Sequence, residues 1–139
     1  MKVVILAGGL GTRISEYTKL IPKPMINVNG KPLIYHIMKN YAKYGFKNFI
    51  IASGYKGHII KNFFKKKHHD WKVSVVDTGK KTMTGGRVKR LKKKIGNETF
   101  FLTYGDGISN INIKRIFNFH KKNKKLIILT AVRPPARFG

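Results

Sequence analysis

Three glycines follow a short apolar run near the start of the chain, and their spacing could hold a phosphate group. The apolar run is Val3–Leu6, which predicts a buried strand, and the glycines are Gly8, Gly9 and Gly11. Glycines this close together let the backbone approach a ligand and turn several N–H groups toward one concavity, which suits phosphate oxygens. The dinucleotide-binding fingerprint would need a glycine where Ile14 stands, and the Gly-Lys-Ser/Thr of a P-loop is missing. The stretch therefore predicts phosphate binding of another kind.

Two cations accompany the glycines. Arg13 offers a planar guanidinium whose forked donors match phosphate geometry. Lys23 stands between Pro22 and Pro24, which fix φ on either side and restrict the residues before them. A solvated surface lysine needs no such support. A tight turn beside a charge would explain the glycines alone, but the added Pro-Lys-Pro clamp favours a site for an anionic ligand.

A second glycine pair precedes Arg87, and its sequence predicts a weaker anion site. Gly85 and Gly86 permit close backbone approach, and Arg87 stands where the pattern predicts the start of a short helix, residues 88–94. A helix N-terminus that carries an arginine suits an anion or a base edge. The adjacent His68 and His69 lack a third ligand at a suitable spacing, so a polar loop is favoured over a metal site there.

One aspartate occupies a position typical of ligand or metal binding. Asp106 lies between Gly105 and Gly107, directly after a predicted buried strand at residues 99–103. Open α/β sheets bind ligands at the carboxyl ends of such strands. Asp106 is therefore the candidate metal ligand.

The bulk composition restricts the class of protein. A chain of 139 residues with 42% hydrophobic content is enough for one core, and no apolar run or leader predicts a membrane span or a signal peptide. Without cysteine, the chain has no disulfide, and we expect a cytoplasmic protein. The net charge of +25 favours weak, non-specific attraction to nucleic acid, but the lysines are scattered in short runs. We expect no specific nucleic-acid partner and no membrane partner.

Apolar periodicity predicts alternating strands and helices. Such alternation favours an α/β fold, a three-layer, doubly wound and mostly parallel sheet. The predicted strands are residues 3–6, 25–28, 48–53, 71–77, 99–103 and 126–132, and the predicted helices are residues 31–44, 57–67, 88–94 and 113–120.

Several of these stretches together resemble one enzyme family. The sequences GGLGTR and PKP, with residues 31–45, 82–90 and 103–113 and the closing RPPARFG, resemble the sugar-1-phosphate nucleotidylyltransferases. The similarity extends over essentially the whole chain and is strongest to the branch that uses CTP. The resemblance implies a Rossmann-like fold and transfer of a cytidylyl group from CTP to α-D-glucose 1-phosphate, giving CDP-glucose and pyrophosphate.

The resemblance also assigns roles to residues. It implies that Arg13 and Lys23 are catalytic, that Asp106 binds Mg²⁺, and that no covalent intermediate forms. The nucleotide-binding residues that it implies are Leu6, Ala7, Gly8, Gly9, Leu10, Gly11, Thr12, Arg13, Lys23, Thr82, Arg87 and Gly105.

Two departures from the family pattern set further expectations. The segment between Lys67 and Trp71 is short, and the chain stops at Gly139, before the sugar-binding half with its second metal-binding aspartate. We therefore expect residues 1–139 to be the nucleotide-binding part of one domain, incomplete at its C-terminus, with poor turnover alone and a homo-oligomeric full-length form. Two alternatives stay open: a sister enzyme that uses UTP, dTTP or GTP, and a non-catalytic basic binding module.

Overall fold

Four parallel strands form the sheet that carries the glycine loop. The computed structural model describes residues 1–11, 20–65 and 70–133. Its strands are β1 (Lys2–Ala7), β2 (Asn27–Val28), β3 (Lys31–Pro32), β4 (Asn48–Ser53), β5 (Lys72–Asp77) and β6 (Phe100–Tyr104). The spatial order in the sheet is β5-β4-β1-β6, and β2 and β3 form a separate antiparallel hairpin. The apolar run of β1 is buried on both faces, as expected of an internal strand.

Helices connect the strands and cover both faces of the sheet. Within the described residues they are α1 (Leu33–Ala42), α2 (Gly57–Lys65), α3 (Thr84–Arg90), α4 (Lys92–Ile95) and α5 (Ile113–Asn123), with a 3-10 helix at Lys23–Met25. The side chain of Asn112 caps α5 by accepting a hydrogen bond from the Arg115 amide at 3.0 Å. None of these helices combines the length and apolar character needed to span a bilayer.

Alternate residues of β1 point into two separate cores. Val3 and Ile5 lie in a cluster with residues of α1, α2 and α5. Val4 and Leu6 pack on the opposite face with Leu91 and with Ile95 of α4. Because successive side chains of a strand face opposite sides, one apolar run serves both cores. The predicted three-layer, doubly wound arrangement is confirmed.

Two predicted element boundaries are wrong near the prolines. The helix predicted from residue 31 begins at Leu33, because Pro32 has an extended backbone (φ −60°, ψ 148°) and pairs with Asn27 in the hairpin. The strand predicted at residues 25–28 is only Asn27–Val28, because the preceding turn of 3-10 helix includes Met25. Local pairing of the hairpin thus replaces the first turn of the helix.

The predicted strand at residues 126–132 is wrong. Among its residues Leu126 is 100% exposed and Leu129 86%, and the segment pairs with no described strand. Apolar residues form a strand when a neighbouring strand supplies hydrogen bonds and another layer supplies burial. No described element supplies either to this segment.

Candidate functional site

The connectivity of the sheet creates a crevice beside β1. The chain runs from β1 to β4 and β5 on one side and then returns to β6 on the other side of β1. Such a reversal of strand order separates the loops at the carboxyl ends of the two strands, which is where open α/β sheets bind ligands. A cavity of about 380 Å³ opens at this point, between the loop after β1 and the loop after β6.

Most of the site residues predicted from the sequence meet in this cavity. Leu10 does not line it, and Thr12 and Arg13 lie outside the described residues. The predicted residues that line it are Leu6, Ala7, Gly8, Gly9, Gly11, Lys23, Thr82, Arg87, Gly105 and Asp106.

The lining also includes residues that sequence reasoning did not select. These are Pro24, Met83, Thr84 and Tyr104, and each lies within two positions of a residue that was selected. Met83 carried a signal in the sequence, because it is an apolar residue within a polar, glycine-rich stretch, and the structure leaves it 81% exposed. An exposed apolar group at a cavity rim offers a contact surface for a flat ligand group.

The braced lysine and the candidate metal ligand form an ion pair. Lys23 Nζ lies 2.6 Å from Asp106 Oδ2, and the two side chains are 29% and 37% exposed. Pro22 is fully buried and its carbonyl accepts from the Met25 amide at 2.8 Å, which closes the 3-10 turn around the lysine. The clamp therefore holds Lys23 in the lining of the cavity, beside Asp106.

Gly105 lets the two walls of the cavity approach each other. Its amide donates to the Leu6 carbonyl at 2.9 Å, which joins the end of β6 to β1. A Cβ at this position would lie 3.1 Å from Pro24 Cγ, closer than ordinary side-chain contacts. The missing side chain thus lets the end of β6 pack against Pro24 and the end of β1.

Arg87 lies elsewhere in its helix than the sequence indicates. The predicted helix at residues 88–94 is two short helices, α3 and α4, and Arg87 lies within α3, with 5% of its surface exposed. Arg87 therefore does not present its charge at a helix N-terminus. Burial lowers the pKa of its guanidinium, with a smaller opposing effect from Asp77 and a further lowering by Arg90.

The charges around the cavity favour an anion that carries a divalent cation. Lys23 and Arg87 are the cations among the described lining residues, and Asp106 is the carboxylate. Mg²⁺ commonly binds one or two carboxylates, completing its shell with phosphate oxygens and water. Asp106 fits that role, although no group of three or more candidate ligands exists among the described residues.

Comparison with known proteins agrees with this arrangement. Residues 2–139 match the family model described as nucleotidyl transferase, so the chain belongs to the nucleotidyl transferase family. Over its whole length it is 46% identical to glucose-1-phosphate cytidylyltransferase of Salmonella typhimurium and 41% identical to the probable glucose-1-phosphate cytidylyltransferase of Bacillus subtilis. The chain spans 63% of the length of each of these relatives.

A solved structure of a nucleotide complex is also similar. HddC from Yersinia pseudotuberculosis, complexed with GMP-PN, superposes with a TM-score of 0.73 at 33% sequence identity. The similarity covers 86% of this chain and 53% of that one.

Proposed function

We propose that this chain is the nucleotide-binding part of a glucose-1-phosphate cytidylyltransferase. The reaction transfers a cytidylyl group from CTP to α-D-glucose 1-phosphate and gives CDP-glucose and pyrophosphate. One observation carries the proposal: a single cavity at the reversal of strand order is lined by the glycine loop, Lys23 and Asp106. The similarity to the two cytidylyltransferases supports the choice of substrates.

The reaction needs positioning and charge neutralisation. A phosphate oxygen of glucose 1-phosphate forms a bond to the α-phosphorus of CTP while the bond from that phosphorus to the bridging oxygen breaks, and pyrophosphate leaves with the electron pair. The backbone amides of residues 8–11 would hold the triphosphate, and Lys23 would neutralise charge at the α-phosphate. Arg13 is proposed to assist at the triphosphate. No covalent enzyme intermediate is needed.

Asp106 would hold Mg²⁺ at the phosphates. The ion supplies Lewis-acid stabilisation of the phosphate charge when it is bound. The present ion pair between Lys23 and Asp106 neutralises both side chains before the ligand arrives. Ligand binding would separate them, so that the lysine contacts phosphate and the carboxylate contacts the cation.

For the base of the nucleotide, guanine is an alternative to cytosine. Thr82, Met83 and Thr84 line the cavity beside the glycine loop and are proposed to contact the base. GTP is the second candidate, because the similar Yersinia protein is described in complex with GMP-PN.

We expect this chain to bind CTP more tightly than GTP, UTP or dTTP, and more tightly with Mg²⁺ than without it. Isothermal titration calorimetry with the four triphosphates, each with and without Mg²⁺, measures both differences. A preference for GTP would transfer the proposal to a guanylyltransferase. Equal affinity for all four triphosphates, independent of Mg²⁺, would contradict an enzyme of this family and favour a basic binding module.

A matched pair of carboxylate variants tests the metal ligand. Asp106→Asn is expected to remove most of the gain in CTP affinity that Mg²⁺ provides, because the amide lacks the charge that holds the cation. Asp77→Asn is the control, since Asp77 also ends a parallel strand but accepts from the Gly79 amide and does not line the cavity. Retention of the full Mg²⁺ effect in Asp106→Asn would show that Asp106 is not the ligand.

A further inference from the structure

The guanidinium of Arg87 donates hydrogen bonds to three separate segments of the chain. Nη2 donates to the Gly8 carbonyl at 2.8 Å. Nη1 donates to the Ser53 carbonyl at 3.1 Å, the Thr78 hydroxyl at 2.7 Å and the Gly79 carbonyl at 2.8 Å. One side chain therefore joins the loop after β1 to the end of β4 and to the turn after β5.

These bonds occupy the donors that a ligand would need. The terminal nitrogens of arginine carry four N–H groups, and both nitrogens of Arg87 are engaged, with a further contact from Nη2 to the Lys80 carbonyl at 3.4 Å. Turning the guanidinium toward a phosphate would break its hydrogen bonds to the Gly8, Ser53 and Gly79 carbonyls and to the Thr78 hydroxyl, and breaking such buried hydrogen bonds to a charged group is unfavourable. Arg87 is better placed to act on a ligand through the backbone that it holds.

Two glycines leave the space that the guanidinium fills. A Cβ at Gly8 would lie 2.0 Å from Arg87 Nη1, and a Cβ at Gly54 would lie 2.7 Å from the same atom. At Gly9 a Cβ would meet no atom within 4 Å. The absence of a side chain at Gly8 therefore makes room for the guanidinium of Arg87.

We infer that Arg87 is a positioning residue that fixes the glycine loop for the phosphates of the nucleotide. The inference depends on the proposed function for its ligand, a nucleoside triphosphate. It replaces direct base or phosphate contact, which the sequence favoured for Arg87, by an indirect role. A loop held at Gly8 presents the amides that follow it in one fixed direction, and preorganised donors bind phosphate more strongly than mobile ones.

Binding measurements on Arg87→Lys distinguish the two roles. A lysine retains the charge but not the forked geometry, so we expect affinity to fall tenfold or more. The factor should be the same for CTP, UTP and inorganic tripolyphosphate, because only phosphate-binding backbone is disturbed. Arg90→Lys is the control, since Arg90 donates from the same helix to the Thr78 carbonyl at 2.7 Å and does not line the cavity. A loss confined to CTP would overturn the inference in favour of base contact.

Two further readouts separate a positioning role from loss of the fold. Thr78→Val removes one acceptor of the guanidinium without touching the cavity lining, and we expect the same base-independent loss with a smaller factor. In Arg87→Ala, millimolar guanidinium should restore tripolyphosphate affinity by filling the vacated site, and it should not restore affinity lost in Lys23→Ala. If Thr78→Val loses no affinity and guanidinium does not restore binding in Arg87→Ala, the inference is overturned, even if Arg87→Lys does not fold.

Amide hydrogen exchange tests the inference without any ligand. The Tyr55 amide donates to the Gly8 carbonyl at 3.4 Å, so its exchange in Thr78→Val and Arg87→Lys should become faster while β1 stays protected. Wild-type protein that binds neither CTP nor tripolyphosphate would contradict the proposed function, and the exchange result would still decide the role of Arg87. Unchanged exchange at Tyr55 in both variants would overturn it.

Discussion

Lys23→Ala is expected to lower kcat by about 10²–10³-fold while changing nucleotide affinity much less. The expectation follows from the proposed role of Lys23, whose charge is placed where negative charge grows as the α-phosphorus is attacked. An interaction that strengthens in the transition state affects kcat more than substrate binding. The buried prolines on either side of Lys23 hold it there before the substrate arrives.

Pyrophosphate release with CTP and glucose 1-phosphate measures this effect. The assay uses this chain and this chain fused to the remaining part of the Salmonella relative, since the chain spans 63% of that protein. Lys47→Ala is the control, because Lys47 also pairs with an aspartate, Asp70, but on the exposed surface outside the cavity. A Lys23→Ala enzyme with near-normal kcat would refute the role of Lys23.

The same variant should also change metal binding. Without Lys23, Asp106 loses the ammonium that lies 2.6 Å from its carboxylate. We expect nucleotide-free Lys23→Ala to bind Mg²⁺ more tightly than the wild type, by calorimetric titration, because the cation no longer displaces a lysine. Equal Mg²⁺ affinity would indicate that the ion pair does not compete with the metal.

Gly8→Ala is expected to be the most destabilising single change in the loop, lowering the free energy of unfolding by about 1–3 kcal/mol. Its Cβ would lie 2.0 Å from a guanidinium that is bonded to three segments and has little freedom to move. Gly9→Ala is the matched control, because its Cβ meets no atom within 4 Å. Urea unfolding of the two variants gives the comparison.

A double-mutant cycle identifies the cause of that loss. If the clash with Arg87 is responsible, Gly8→Ala should cost less in an Arg87→Ala background than in the wild type, with a coupling energy of about 0.5–3 kcal/mol. Gly54→Ala should show less relief, since its Cβ would also lie 2.8 Å from the Gly79 carbonyl and 2.9 Å from the Gly8 carbonyl. Strict additivity at Gly8 would exclude the arginine as the source.

The sequence by itself determined the local parts of this protein. Apolar runs at residues 3–6 and 48–53 specify strands because they bury both faces. The prolines around Lys23 restrict the backbone and the glycines widen its choice of conformation wherever they occur. These features depend only on residues that are close in the sequence, so they can be predicted from the sequence alone. The strand predicted at residues 126–132 does not form, because an apolar run becomes a strand only when a neighbouring strand pairs with it.

Only the tertiary structure decided which side chains meet. Lys23 and Asp106 are 83 residues apart and meet because β1 and β6 are neighbours. Arg87 lies 79 residues from Gly8, and its contacts depend on the pairing of β1 with β4 and of β4 with β5. The sequence placed Arg87 among the ligand contacts because it showed an arginine after two glycines. Its carbonyl partners come from strand ends that parallel pairing brings together, and backbone carbonyls have no signature in a sequence. Burial among those carbonyls is the physical reason that Arg87 holds the loop.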